Sequence, residues 1–190
     1  MLKGAIVGFG FIAGKGHLPA YLARKDVEIV AFADLSPARL DAARALAPKA
    51  RLYATHEEML AKERGLDFVD IATPPNAHKE IAIAALRNGA HVLCEKPLTT
   101  SVAEALELVR AARKHRRVVF PAHNYKHAPE VKFAVETIER GRIGKVRALT
   151  LDTFRTTHAK GVPECAPTGA ATMRRPAAAS PWITGATASI

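Results

Sequence analysis

The chain has 190 residues, 48% hydrophobic and 24% charged, a balance that excludes a disordered or collagen-like polypeptide. Two cysteines, Cys94 and Cys165, are too few for a disulfide framework, and no apolar run approaches the ~20 residues that cross a bilayer. With residues 2–8 reading as a buried strand, no room remains for a signal segment, and a cytoplasmic protein without membrane contact is expected.

The formal charge of +10 is local. Residues 1–109 hold 13 basic and 13 acidic side chains, whereas residues 110–147 hold 11 basic residues against Glu130, Glu136 and Glu139. Such a stretch can attract phosphate, but its aromatic residues, Phe120, Tyr125 and Phe133, are too few and scattered to interleave the charges as a stacking platform requires. It reads as the solvated face of two helices, and no nucleic-acid partner is expected.

In chain order, β-branched runs recur at Leu2–Val7, Val27–Ala33, Phe68–Ala72, His91–Cys94 and Val118–Pro121. Between them lie segments with apolar residues at helical spacing, such as Val102, Ala105, Leu106, Val109 and Ala112. Strand alternating with helix predicts an α/β fold, a doubly wound parallel sheet of the Rossmann type over residues 1–122, with ligands at the carboxyl ends of the strands. Residues 126–140 read as a further helix, punctuated by Gly141 and Gly144. The run Val146–Phe154 reads as a strand, so residues 123–155 are expected to be the connecting helix and only the start of a second, α+β domain.

Gly8-Phe9-Gly10-Phe11-Ile12-Ala13 follows the first strand and opens a helical pattern. Gly8 permits a tight turn, Gly10 lets the backbone approach a pyrophosphate, and small Ala13 allows close helix-to-strand packing, so residues 8–12 are predicted to bind a dinucleotide. Asp34 closes the second strand about twenty residues on, where a carboxylate accepts from ribose hydroxyls; this favours NAD. Its other reading is an N-terminal acid for the helix beginning Ser36-Pro37. Arg39, one turn into that helix, can reach a 2′-phosphate, so NADP is also admitted.

Thr73-Pro74-Pro75-Asn76-Ala77-His78 and Cys94-Glu95-Lys96-Pro97 each follow a later strand. Together with the glycines, over roughly residues 1–155, they resemble the glucose-fructose oxidoreductase/inositol dehydrogenase family of NAD(P)-dependent enzymes. The resemblance implies that Lys96 is the catalytic lysine and that Glu95 helps hold cofactor and lysine. It also implies that Thr73, Pro74, Asn76 and His78 line the nicotinamide end. Oxidising a secondary alcohol needs removal of a hydroxyl proton as well as a hydride, and a lysine beside a positive nicotinamide suits proton transfer. Cys94 reads as a small apolar residue, and the eight histidines show no metal-ligand spacing, so no metal is expected. His123, Asn124 and Tyr125, after the last strand, either contact substrate or the nicotinamide ribose or are simple loop packing.

Residues 165–190 depart from the family, with eight Ala, four Thr and three Pro but no Asp, Glu, Lys, Leu or Val. The stretch 156–190 is therefore expected to be an irregular tail, and the chain a truncated family member. One base restored at the codon of Cys165 permits a run resembling the family's Gly-Gly-Gly…Asp-x-Gly-x-His segment, which suggests translation out of frame. Trp182-Ile183 then forces an Asp codon, and Met173-Arg174 gives an Ala codon where Arg174 is encoded by CGN. The expected function is an oxidoreductase acting on a sugar, cyclitol or related polyol, weakly active or inactive in this form. The alternative is a dinucleotide-binding module or sensor without catalysis. Association between copies is expected only where the second domain is present.

Overall fold

The computed structural model describes residues 1–150; the predicted tail at 156–190 and the end of the 146–154 run lie outside them. Two compact units divide at His123/Asn124. The first, Met1–His123, holds a six-stranded sheet in the order β3-β2-β1-β4-β5-β6. Its strands are β1 Leu2–Val7, β2 Val27–Ala33, β3 Arg51–Tyr53, β4 Phe68–Ile71, β5 His91–Cys94 and β6 Val119–Pro121, all paired in parallel. β1 lies between β2 and β4, so the winding reverses there, and the crevice for a ligand opens at the carboxyl ends of these two strands.

Both faces of the sheet are covered, which is why β1 and β2 read as continuous apolar runs rather than alternating ones. Ala5 and Val7 face a core built with Met59 and Leu60 of α3 (His56–Lys62), Ile81, Ala82, Ala85 and Leu86 of α4 (Pro75–Arg87), and Leu108 of α5 (Val102–His115). Ile6 and Phe32 face the other core, with Leu18 of α1 (Leu18–Leu22) and Ala43 of α2 (Pro37–Leu46). Gly4 stands in β1 because the Phe68 ring lies directly upon it: a β-carbon there would come within 2.2 Å of the ring.

Local chemistry sets the helix ends. Thr55 and Ser101 accept from the Glu58 and Glu104 amides, each at 3.2 Å, to cap α3 and α5. Pro37 and Pro75 occupy the first helical positions of α2 and α4, where the missing N–H costs nothing. Before α1 the helix widens into a π-turn, Ala13–His17. Pro19 has no N–H to return to the preceding turn, and the wider turn just ahead of it accommodates that loss.

Several details differ from the reading of the sequence. The short strand β3 was not anticipated; it is three residues long at the sheet edge, too short to carry a periodic signal. α5 forms as predicted, but Val102, Leu106 and Val109 are exposed, and Leu108 is its buried contact with the core. In the second unit, a 3-10 turn at Asn124–His127 precedes α6, Pro129–Glu139, where one helix over 126–140 was expected. Residues 146–150 carry no strand within the described residues, and the rest of the expected strand, to Phe154, lies outside them.

Leu86→Ala, which truncates a wholly buried side chain of α4, is expected to lower stability by about 2 to 5 kcal/mol. Urea unfolding should show a lower midpoint at unchanged slope; a wild-type midpoint would contradict this account of the core.

Candidate functional site

Every motif singled out in the first unit lies at the carboxyl edge of the sheet. Where β1 ends, Gly8 takes φ +86° and its amide donates to the Ala33 carbonyl at 2.8 Å. A β-carbon on Gly8 would sit 2.8 Å from the Ala72 carbonyl and the Thr73 methyl, so only glycine lets β1 turn this close to the end of β4. At Gly10 the opposite holds: a β-carbon would meet nothing within 4 Å. Its α-carbon faces open space at the start of a helix, where amide N–H groups have no partner within the helix.

The residues between divide their roles. The Phe9 ring is buried against Phe32, edge to face with centroids 5.1 Å apart, and its amide donates to Asp34 Oδ2 at 2.7 Å. Phe9 therefore contributes packing rather than a ligand-facing side chain. Phe11 and Ile12 are exposed beside Gly10.

Asp34 is 8% exposed and serves as a latch. Besides the Phe9 amide on Oδ2, its Oδ1 accepts from the Ser36 amide at 2.8 Å, tying the glycine turn to the start of α2. Ser36 itself makes no side-chain cap, so the acid takes over that task. Two carboxylate oxygens offer about four acceptor sites, which leaves capacity for further donors. The Arg39 guanidinium lies 3.8 Å from Oδ2 and is half-exposed, a second charge at the same edge.

At the end of β4, the Thr73 hydroxyl is buried without a hydrogen-bond partner. Pro74 and Asn76 are exposed. His78 departs from expectation: it has no exposed surface, and its Nδ1 and Nε2 lie 2.9 and 2.8 Å from the carbonyl oxygens of Pro97 and Thr73. It ties these two loops together and does not line a cleft. Asn124, exposed, opens the 3-10 turn of the second unit.

Beyond β5, the Lys96 side chain is exposed and its peptide bond to Pro97 is cis. Glu95 Oε2 accepts from the Lys96 amide at 3.0 Å, and Glu95 Oε1 faces His17 Nε2 at 3.2 Å. The other nitrogen, His17 Nδ1, lies 2.9 and 3.1 Å from the two oxygens of Asp70, which is fully buried. Tyr21 donates its hydroxyl to Asp70 at 2.9 Å. Burial alone would push the His17 pKa down, but its hydrogen bond to Asp70 and the charges of Asp70 and Glu95 raise it above the ordinary 6.5. Burial also pushes the Cys94 thiol up to about 12, with Asp70 and Glu95 adding to the effect, so Cys94 is no nucleophile at neutral pH.

His17, Tyr21 and Asp70 were missed in the sequence. The available signal was Asp70 itself, an acid inside the apolar strand Phe68–Ile71 that a buried sheet tolerates only when partnered.

In sequence and fold the chain is similar to known proteins. A family model described as an oxidoreductase family with an NAD-binding Rossmann fold matches residues 2–123. D-glucoside 3-dehydrogenase of Escherichia coli is 33% identical over 157 residues, 81% of this chain and 44% of that protein. The WlbA dehydrogenase of Bordetella pertussis, solved with NADH and UDP-GlcNAcA, superposes with a TM-score of 0.72 at 30% identity, over 77% of this chain and 44% of that one. KijD10, a 3-ketoreductase from Actinomadura kijaniata solved with TDP-benzene and NADP, gives 0.69 at 27% identity, over 77% and 46%. The chain spans less than half the length of each of these proteins. With a six-stranded 3-2-1-4-5-6 sheet and a family match over most of its length, the chain belongs to the glucose-fructose oxidoreductase/inositol dehydrogenase family of oxidoreductases.

Proposed function

We propose that this chain is the dinucleotide-binding half of an NAD(P)-dependent dehydrogenase that oxidises a secondary alcohol of a sugar, cyclitol or related polyol. One observation carries the reading: at the reversal between β1 and β4, the open face of Gly10 and the orphaned Thr73 hydroxyl stand at the same sheet edge. An unpartnered buried hydroxyl beside an unfilled backbone cradle suits a ligand with phosphate and amide groups.

The residues fit a dinucleotide, so their roles follow. The amides opening the helix after Gly10 receive the pyrophosphate, and Asp34 accepts from the adenosine ribose. Thr73 and Glu95 bind at the nicotinamide end. Bound there, the nicotinamide supplies the hydride acceptor. Lys96 Nζ takes the hydroxyl proton of the alcohol, and its exposure leaves it free to meet a substrate. Hydride transfer further requires the alcohol carbon to be held ~3 to 3.5 Å from the ring. The 190 residues alone are therefore expected to bind dinucleotide and turn over little, whereas a protein of the relatives' length completes the pocket. Cofactor preference rests on the balance of Asp34, which favours a ribose hydroxyl, and Arg39, which favours a 2′-phosphate.

Two outcomes test this reading. Gly10→Val fills the open face and should abolish NADH binding, measured by fluorescence titration, while far-UV circular dichroism stays unchanged; a folded variant that binds normally would contradict it. Asp34→Ala removes an acceptor worth about 1.5 to 3 kcal/mol, so the Kd for NADH should rise at least about tenfold. The Kd for NADPH should rise less, because Arg39 loses its carboxylate neighbour; equal losses would mean that Asp34 acts only as the latch of the glycine turn. A panel of sugars and polyols followed by NADH absorbance separates a dehydrogenase from a purely binding module, and is best applied to the chain and to a full-length relative side by side.

A further inference from the structure

The buried charges beneath the Glu95-Lys96 segment have no task in the chemistry described so far. Asp70 sits in the middle of β4 with no exposed surface, and a buried carboxylate is retained only with paired charge and hydrogen bonds. Tyr21 supplies one bond and His17 Nδ1 the other. On its far side the same imidazole reaches Glu95 Oε1. Carboxylates accept and do not donate, so holding Asp70 and Glu95 at once takes a proton on both ring nitrogens, that is, the imidazolium. The titratable groups around this network are Asp70 of β4, Tyr21 of α1, Cys94 at the end of β5 and Glu95 just beyond it.

We propose that His17 is a positioning residue for the nicotinamide end: as an imidazolium bridging Asp70 and Glu95, it fixes the Glu95 carboxylate beside Lys96 and couples dinucleotide binding to its own protonation. The inference rests on the reading of this edge as the dinucleotide site. Loss of the proton leaves Nδ1–H on the buried Asp70 and turns the Nε2 lone pair toward the Glu95 carboxylate. Attraction becomes repulsion, Glu95 leaves its place, and the segment that carries Lys96 loses its anchor. The direction agrees with the raised pKa of His17. A histidine whose folded pKa lies above its unfolded value contributes stability in full below about 6.5, lost as pH rises through the folded value.

The test is the pH profile of NADH binding to the full 190-residue chain between pH 6 and 9, for wild type, His17→Gln and Tyr21→Phe. Thermal unfolding at each pH checks that all three are folded. Wild type should lose about three- to tenfold in affinity across the range, with a midpoint above 6.5. His17→Gln should bind more weakly at pH 6 and show a flat profile. Tyr21→Phe removes a bond to Asp70 but leaves the His17–Glu95 contact, and should keep the pH dependence; a network that merely supports the fold would affect both variants alike. A His17→Gln profile that falls as the wild type does, or a flat wild-type profile, would overturn the role of His17. Absence of NADH binding by wild type at pH 6 would instead overturn the dinucleotide reading, and this inference with it.

Discussion

The close approach of Gly8 to the Ala72 main chain and the Thr73 methyl, which leaves no room for a β-carbon, governs the rest of the first unit. β1, β2 and β4 converge there: the Gly8 amide bonds the end of β2, the Ala72 amide bonds Val7 of β1, and no side chain can separate them. Because β1 leaves the sheet with almost no overhang, the following helix begins against the sheet edge, and its unpartnered amides face the crevice where strand order reverses. A larger residue at position 8 would meet both a positive φ and a backbone clash, so the turn and the site are one constraint.

Charge then secures what the turn creates. Asp34 draws the Phe9 and Ser36 amides together on one side of the reversal, and His17 joins Asp70 to Glu95 on the other. In both places a mostly buried acid organises backbone or side chains from separate elements, and in both the acid keeps the adjoining segment in position at the edge. Low local dielectric makes such bonds strong and makes their loss expensive, which is why each is held by at least two partners.

Much of this was legible in the residues. The β-branched runs gave five strands within a residue of their bounds because both faces of the sheet are buried, and Gly8, Gly10 and Asp34 stood at spacings whose physical reasons are independent of any particular protein. β3 was hidden because a three-residue edge strand has no period, and the buried contact of α5, Leu108, was not named because apolar residues at helical spacing mark a stripe without saying what it meets. His78 illustrates a different limit. Its motif position suggested a ligand contact, but only coordinates reveal that the carbonyls of Thr73 and Pro97 occupy its ring nitrogens. His17 is the mirror case, a residue without a noticed motif whose partners, in β4 and just beyond β5, lie 53 and 78 residues away in sequence.

The central claim is that one sheet edge, at the ends of β1, β4 and β5, receives a dinucleotide. Amide chemical-shift mapping of the ¹⁵N-labelled chain during titration with NADH tests it most directly. The account predicts that the largest shifts fall on Gly8, Gly10, Phe11, Ile12, Thr73, Glu95 and Lys96, with Asp34 and its neighbours next. Shifts concentrated at the amino ends of the strands, around Lys3, Asp26 and His91, or on the basic stretch from Arg110 to Arg117, would contradict it.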